Sequence, residues 1–100
     1  MLLGDLLSRF QDETDAAEML RALGDLALAA RVSKAAEAEG LTAGELVLRS
    51  VDLFVAQASD EDWLTIVGMM ARTDDPGGAF LRHVLSFAFA KNATANKAPR

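Results

Sequence analysis

The chain has 100 residues, a formal net charge of −5 and no cysteine. That length makes one domain with room for a single core. The missing thiols exclude disulfides, thiolate nucleophiles and cysteine zinc sites, and the acidic balance opposes non-specific attraction to nucleic acid or anionic lipid. Nineteen alanines against two prolines lean toward helix, because alanine has the best intrinsic helix propensity. No apolar run approaches the ~18 residues that a membrane span requires. The opening MLLGDLLSRF carries Asp5 and no basic leader, so a signal peptide is not expected and a cytoplasmic location is. Arginine exceeds lysine, a composition associated with GC-rich bacterial genomes.

Leu3, Leu6, Leu7 and Phe10 recur at helical spacing and predict a short amphipathic helix over 2–10. Asp12 or Thr14 can cap the next helix, with carboxylates suited to the positive end of its dipole. From Glu13 to Glu39 the apolar steps stay helical, through Ala16, Met19, Leu20, Leu23, Leu26, Ala27 and Ala30, with Leu28, Val32 and Ala35 one stripe over. One rod of that length is too long for a domain with a radius of gyration of ~13 Å. Gly24–Asp25 is the natural break, dividing the stretch into helices over 13–23 and 25–39.

The clearest local signal follows. Thr42 and Glu45 have the spacing of a capping box, Leu41 and Leu46 that of a hydrophobic staple, and Gly40 can close the preceding helix in a left-handed conformation. From Thr42 to Ala58 the only charged residues are Glu45, Arg49 and Asp52, one narrow stripe able to pair internally. A helix so apolar around its girth is surrounded by other helices. Ser59 caps the next, with Asp60, Glu61 and Asp62 in its first turn. Trp63, Ile66, Val67 and Met70 form its apolar stripe, with Leu64 and Met69 beside it, and Gly68 suggests a close packing contact. Asp75 and Pro76 start a last helix to about Lys91, burying Phe80, Leu81, Val84, Leu85, Phe87 and Ala88. The expected fold is all-α: a compact orthogonal bundle of five to six short helices around a central apolar helix at about 42–58. A single domain spans 1–91, and 92–100 is expected to be a flexible basic tail.

Three segments bear on function. Ala36–Glu37–Ala38–Glu39–Gly40–Leu41–Thr42, followed by Leu46, resembles the helix-turn-helix of bacterial DNA-binding regulators. It departs from that pattern at Glu39, where an apolar residue is usual, and its second helix offers only Arg49, Ser50 and Gln57 as donors for bases and phosphates. Glu37, Glu39 and Glu45 would repel the DNA backbone, so a plain helical corner is the better account. The segment is also loosely similar to ribbon-helix-helix repressors, but DLALAAR has neither β-branched residues nor alternation and is not their groove-entering strand. His83 is the single histidine and has no carboxylate or second histidine three or four positions away, so a boundary position is expected rather than a site.

The acidic groups Asp60–Glu61–Asp62 and Asp74–Asp75 lie at opposite ends of one helix and lack calcium-loop spacing. No metal or cofactor is expected. Asn92–Ala93–Thr94 has a glycosylation pattern without meaning inside a cell. The wide apolar arc of the last helix, with Phe87 and Phe89, suits either a sandwiched core helix or a subunit interface. The expectation is a small non-enzymatic interaction or regulatory module that self-associates or binds a protein partner, with His83, Phe87 and Phe89 as candidate surface. Nucleic acid and membrane are not expected partners. A DNA-binding regulator using 36–58, and a small helical ligand binder or enzyme, are the alternatives.

Overall fold

The structure, a computed structural model, describes residue 8 and residues 12–96, with side chains up to residue 91. Within that span the chain forms five helices: α1 (Glu13–Ala22), α2 (Leu26–Ala38), α3 (Ala43–Gln57), α4 (Asp60–Ala71) and α5 (Pro76–Asn96). No strand occurs among the described residues, and the fold is all-α. Of the helix expected over 2–10 only Ser8, which is helical, lies among them, and the final residues of the tail lie outside. The last helix continues to Asn96, past the end expected near Lys91.

Local chemistry sets the helix boundaries. Thr42 and Glu45 bond reciprocally at the start of α3: the Thr42 N–H donates to Glu45 Oε1 at 2.8 Å, and the Glu45 N–H to Thr42 Oγ1 at 3.1 Å. Ser59 and Asp62 repeat the arrangement at α4, at 2.9 and 3.1 Å. Each box satisfies two backbone donors that the first helical turn leaves unpaired. Asp12 accepts from the Thr14 N–H at 2.9 Å, Asp25 from Leu28 at 3.0 Å and Asp75 from Gly78 at 3.1 Å. Gly24 and Gly40 have φ of 68° and 72°, a region that side chains with Cβ resist. At Gly40 the Leu41 N–H reaches the Ala36 carbonyl at 2.8 Å and the Gly40 N–H reaches that of Glu37 at 3.2 Å. These are the two bonds of a Schellman stop.

Helix α3 packs against α1, α2 and α5, while α4 lies chiefly against α5. Val47 and Phe54 are 0% exposed and Val51 is 5% exposed, so the inner face of α3 is sealed as its sequence requires. Burying side chains of this size contributes ~1.5–3 kcal/mol each. Ser50, also buried, donates its hydroxyl to the Leu46 carbonyl at 2.8 Å, which spares the core an unpaired polar group. On α5, Phe80, Leu81, Val84 and Leu85 are all 0% exposed. The radius of gyration is 13.3 Å.

Three expectations change with the packing. Leu26 is 84% exposed: the chain restarts at Asp25, and the inward face of α2 becomes Leu28, Ala29, Val32, Ala35 and Ala36. Arg49 pairs with Glu39, across the α2–α3 corner, and not with its own helix; the Glu45 carboxylate is already engaged by the Thr42 N–H. Gly68 meets no neighbouring helix, since a Cβ there would touch only Arg72 Nη1 at 3.4 Å.

The close approach falls instead at Gly44. A Cβ on Gly44 would collide with the Glu13 backbone carbonyl and come within 2.7 Å of the Glu13 Cγ. The Thr42 hydroxyl donates to Glu13 Oε1 at 2.6 Å on the same side, so the first turns of α1 and α3 are seated on each other. Gly44→Ala is therefore expected to destabilise the fold by ~1–3 kcal/mol, because backbone has to move. Urea unfolding checks this. A variant as stable as the wild type, or more stable by the ~1 kcal/mol of helix propensity that Ala gains over Gly, would contradict the packing described.

Candidate functional site

Phe54 organises the surroundings of two of the three candidate residues. Its ring meets Trp63 at 4.8 Å, Phe87 at 5.1 Å, His83 at 5.8 Å and Phe80 at 6.4 Å between centroids, in each case edge-to-face. That geometry sets the positive edge of one ring against the negative face of another. Phe54 and Phe80 are fully buried, whereas Trp63, His83 and Phe87 are half-buried. His83 and Phe87 lie one turn apart on α5, so they share a side of that helix and the rim of one aromatic cluster. The Lys91 ammonium lies 5.4 Å from the centroid of Phe87 and partly covers it.

Phe89 is elsewhere. It projects from the other side of α5, where the Arg31 guanidinium of α2 stacks over its ring at 4.4 Å in a cation–π contact. It is half-buried and packs against the core cluster, as Phe87 does. The width of the apolar arc on α5 thus reflects a helix flanked on one side by α4 and the end of α3, and on the other by α2. His83, Phe87 and Phe89 do not form one continuous patch.

Five carboxylates, those of Asp12, Asp25, Glu45, Asp62 and Asp75, are occupied at helix starts. At the α4 start the Ser59 N–H holds the Asp62 carboxyl below the usual carboxylate range, assisted by the Ser59 hydroxyl and by the charges of His83 and Lys91. At the α2 start the Leu28 N–H lowers that of Asp25, with a further contribution from Arg82, whose Nη1 lies 2.9 Å from Asp25 Oδ2. Asp75, besides capping α5, borders a groove of about 380 Å³ between the end of α1 and the 74–78 turn, lined also by Met19, Leu23 and Pro76. Among the described residues, no three His, Asp or Glu side chains converge as a metal site would require. At the α2–α3 corner the ion pair to Glu39 engages Arg49, the one cation on α3.

Among the described residues, the exposed large hydrophobics are Leu26 on α2, Val55 on α3, and two within one turn on α4. Leu64 is 74% and Val67 48% exposed. Sequence spacing assigned Val67 to the inner stripe; the inward positions are Trp63, Ile66 and Met70. On a wheel of ~100° per residue, Leu64, Val67, Gly68 and Ala71 occupy one arc of roughly 100° pointing away from α5. No helix among the described residues is long and apolar enough to cross a membrane. No protein-family model matches the chain, and no curated protein or solved structure shows significant similarity to it.

The Asp25 contacts carry a pH signature. A carboxyl whose folded pKa lies below the ordinary 3.8 contributes stability that is fully present above that value, and loses it as pH falls through the folded pKa. Asp25→Asn should therefore be less stable than wild type at neutral pH, with the gap closing progressively below pH 3.8. Thermal melts of the two proteins between pH 2.5 and 7 test this. A gap independent of pH would show that the charge at Asp25 is irrelevant.

Proposed function

We propose that the protein is a small, non-enzymatic helical interaction module that works in the cytoplasm and self-associates through an exposed helix face. The observation that carries this reading is the exposure of Leu64 and Val67 on α4, a helix with one principal neighbour. Scattered single apolar residues are ordinary on a surface, but two within one turn beside Gly68 and Ala71 make a continuous apolar stripe. Val55, at the end of α3, is also 50% exposed. The aromatic rim of Trp63, His83 and Phe87 is a second place where a partner would find partly covered rings, a residue class enriched at interfaces.

Against the DNA-binding alternative stand the negative charges at the α2–α3 corner, where Glu37, Glu39 and Glu45 are exposed. Non-specific DNA affinity is dominated by cations facing phosphates.

Sedimentation velocity over a range from micromolar to near-millimolar protein tests the reading. The expected result is a mass that rises with concentration toward twice that of the 10.7 kDa chain. A single monomeric species throughout would overturn self-association, and retardation of duplex DNA at micromolar protein in low salt would favour the regulator instead.

A further inference from the structure

Resting on that reading, we infer that the self-association surface is the outer stripe of α4, paired antiparallel with α4 of a second copy about a two-fold axis. Two features of this stripe are self-complementary. Leu64 is a large apolar knob, 74% exposed. Gly68, one turn further on, is a hole: a Cβ placed there would meet nothing but the tip of Arg72. An antiparallel pairing with Leu64 opposite Gly68 of the partner subunit fills both holes at once, because a two-fold axis makes every contact occur twice.

The charges follow the same register. The N-terminal end of α4 carries Asp60 and Glu61, the C-terminal end Arg72, and all three are exposed. None of them makes an ion pair among the described residues. On the helical wheel of α4, Glu61 and Arg72 share one flank of the stripe, so the register that seats Leu64 on Gly68 of the partner subunit places Arg72 beside Glu61 of the partner subunit. Opposite charges meet at both ends, whereas a parallel pairing would set acid against acid and arginine against arginine. Charge arrangement of this kind fixes orientation more than it adds affinity.

A helix of 12 residues is ~18 Å long. The area one such pair buries is at or below the low end of specific interfaces, ~1,200 Å² in total. The dimer is accordingly weak and concentration-dependent, which also explains why a stripe this apolar is tolerated on the free surface.

The test is sedimentation equilibrium of the full chain and three variants, with circular-dichroism melts to verify folding, which substitutions at these exposed positions leave intact. Leu64→Asp is expected to abolish dimerisation. Arg72→Asp, which sets like charges together twice per dimer, is expected to weaken it by about tenfold. The double variant Glu61→Arg with Arg72→Asp restores the pairs in reversed polarity and should return the affinity to near wild type. A wild-type dimer indifferent to Leu64→Asp, or a double variant no tighter than Arg72→Asp alone, would overturn this interface while leaving self-association standing. A wild type monomeric at every concentration would overturn both.

Discussion

The structure depends on how one phenylalanine is enclosed. Phe54 comes from the last turn of α3 and meets the edges or faces of four rings contributed by α4 and α5. Aromatic pairs add ~0.5–1.5 kcal/mol beyond the area they bury, and here several share one ring. Three helices are thereby fixed at a single point: α3 through Phe54, α4 through Trp63, α5 through Phe80, His83 and Phe87. At its other end α3 is fixed by Gly44 and Thr42 against Glu13 of α1. The segment between these two anchors, with Val47 and Val51 inward, has no solvent-facing alternative for its inner side.

What surrounds that axis is organised by helix ends. Backbone groups orphaned at the termini would be costly if buried without partners, and the chain answers them with Asp12, Asp25, Thr42, Ser59 and Asp75. An acidic composition is the natural outcome, since carboxylates both cap and complement the helix dipole. Part of the negative charge of the protein is thus structural in origin: Asp12, Asp25, Glu45, Asp62 and Asp75 each accept a main-chain N–H at a helix start.

The boundaries of the helices were legible in the sequence because caps are local: a threonine and a glutamate three apart specify their own bonds, whatever lies beyond. The centrality of α3 was legible for a related reason, since a helix with one thin polar stripe has to bury most of its girth. The enclosure is incomplete: Val55 and Ala56 near its end are exposed. Facing directions were less accessible. Leu26 and Val67 both satisfy helical spacing, yet both are exposed, because the side a helix buries depends on which neighbour arrives and the pattern permits two arcs. The role of Gly44 is set by the backbone of α1 at Glu13, far earlier in the chain. Arg31 over Phe89 and Arg49 beside Glu39 join residues whose proximity no spacing rule contains. The candidate surface suffered the same way: His83 and Phe87 share the Phe54 rim, Phe89 belongs to the α2 side, and the exposed stripe of α4 was hidden inside an apparently ordinary amphipathic pattern.

An axis held at both ends and enclosed along one side makes a definite demand on the order in which the molecule opens. Amides in the best-enclosed helix exchange with solvent only when the whole fold unfolds, whereas those in peripheral helices open locally. Native-state hydrogen exchange resolved by residue measures this directly. The account requires the slowest amides to lie in α3 between Val47 and Phe54 and in the facing turns of α5, with α4 and α2 exchanging faster through partial openings. Amides of α3 that exchange as readily as those of α4 would contradict it.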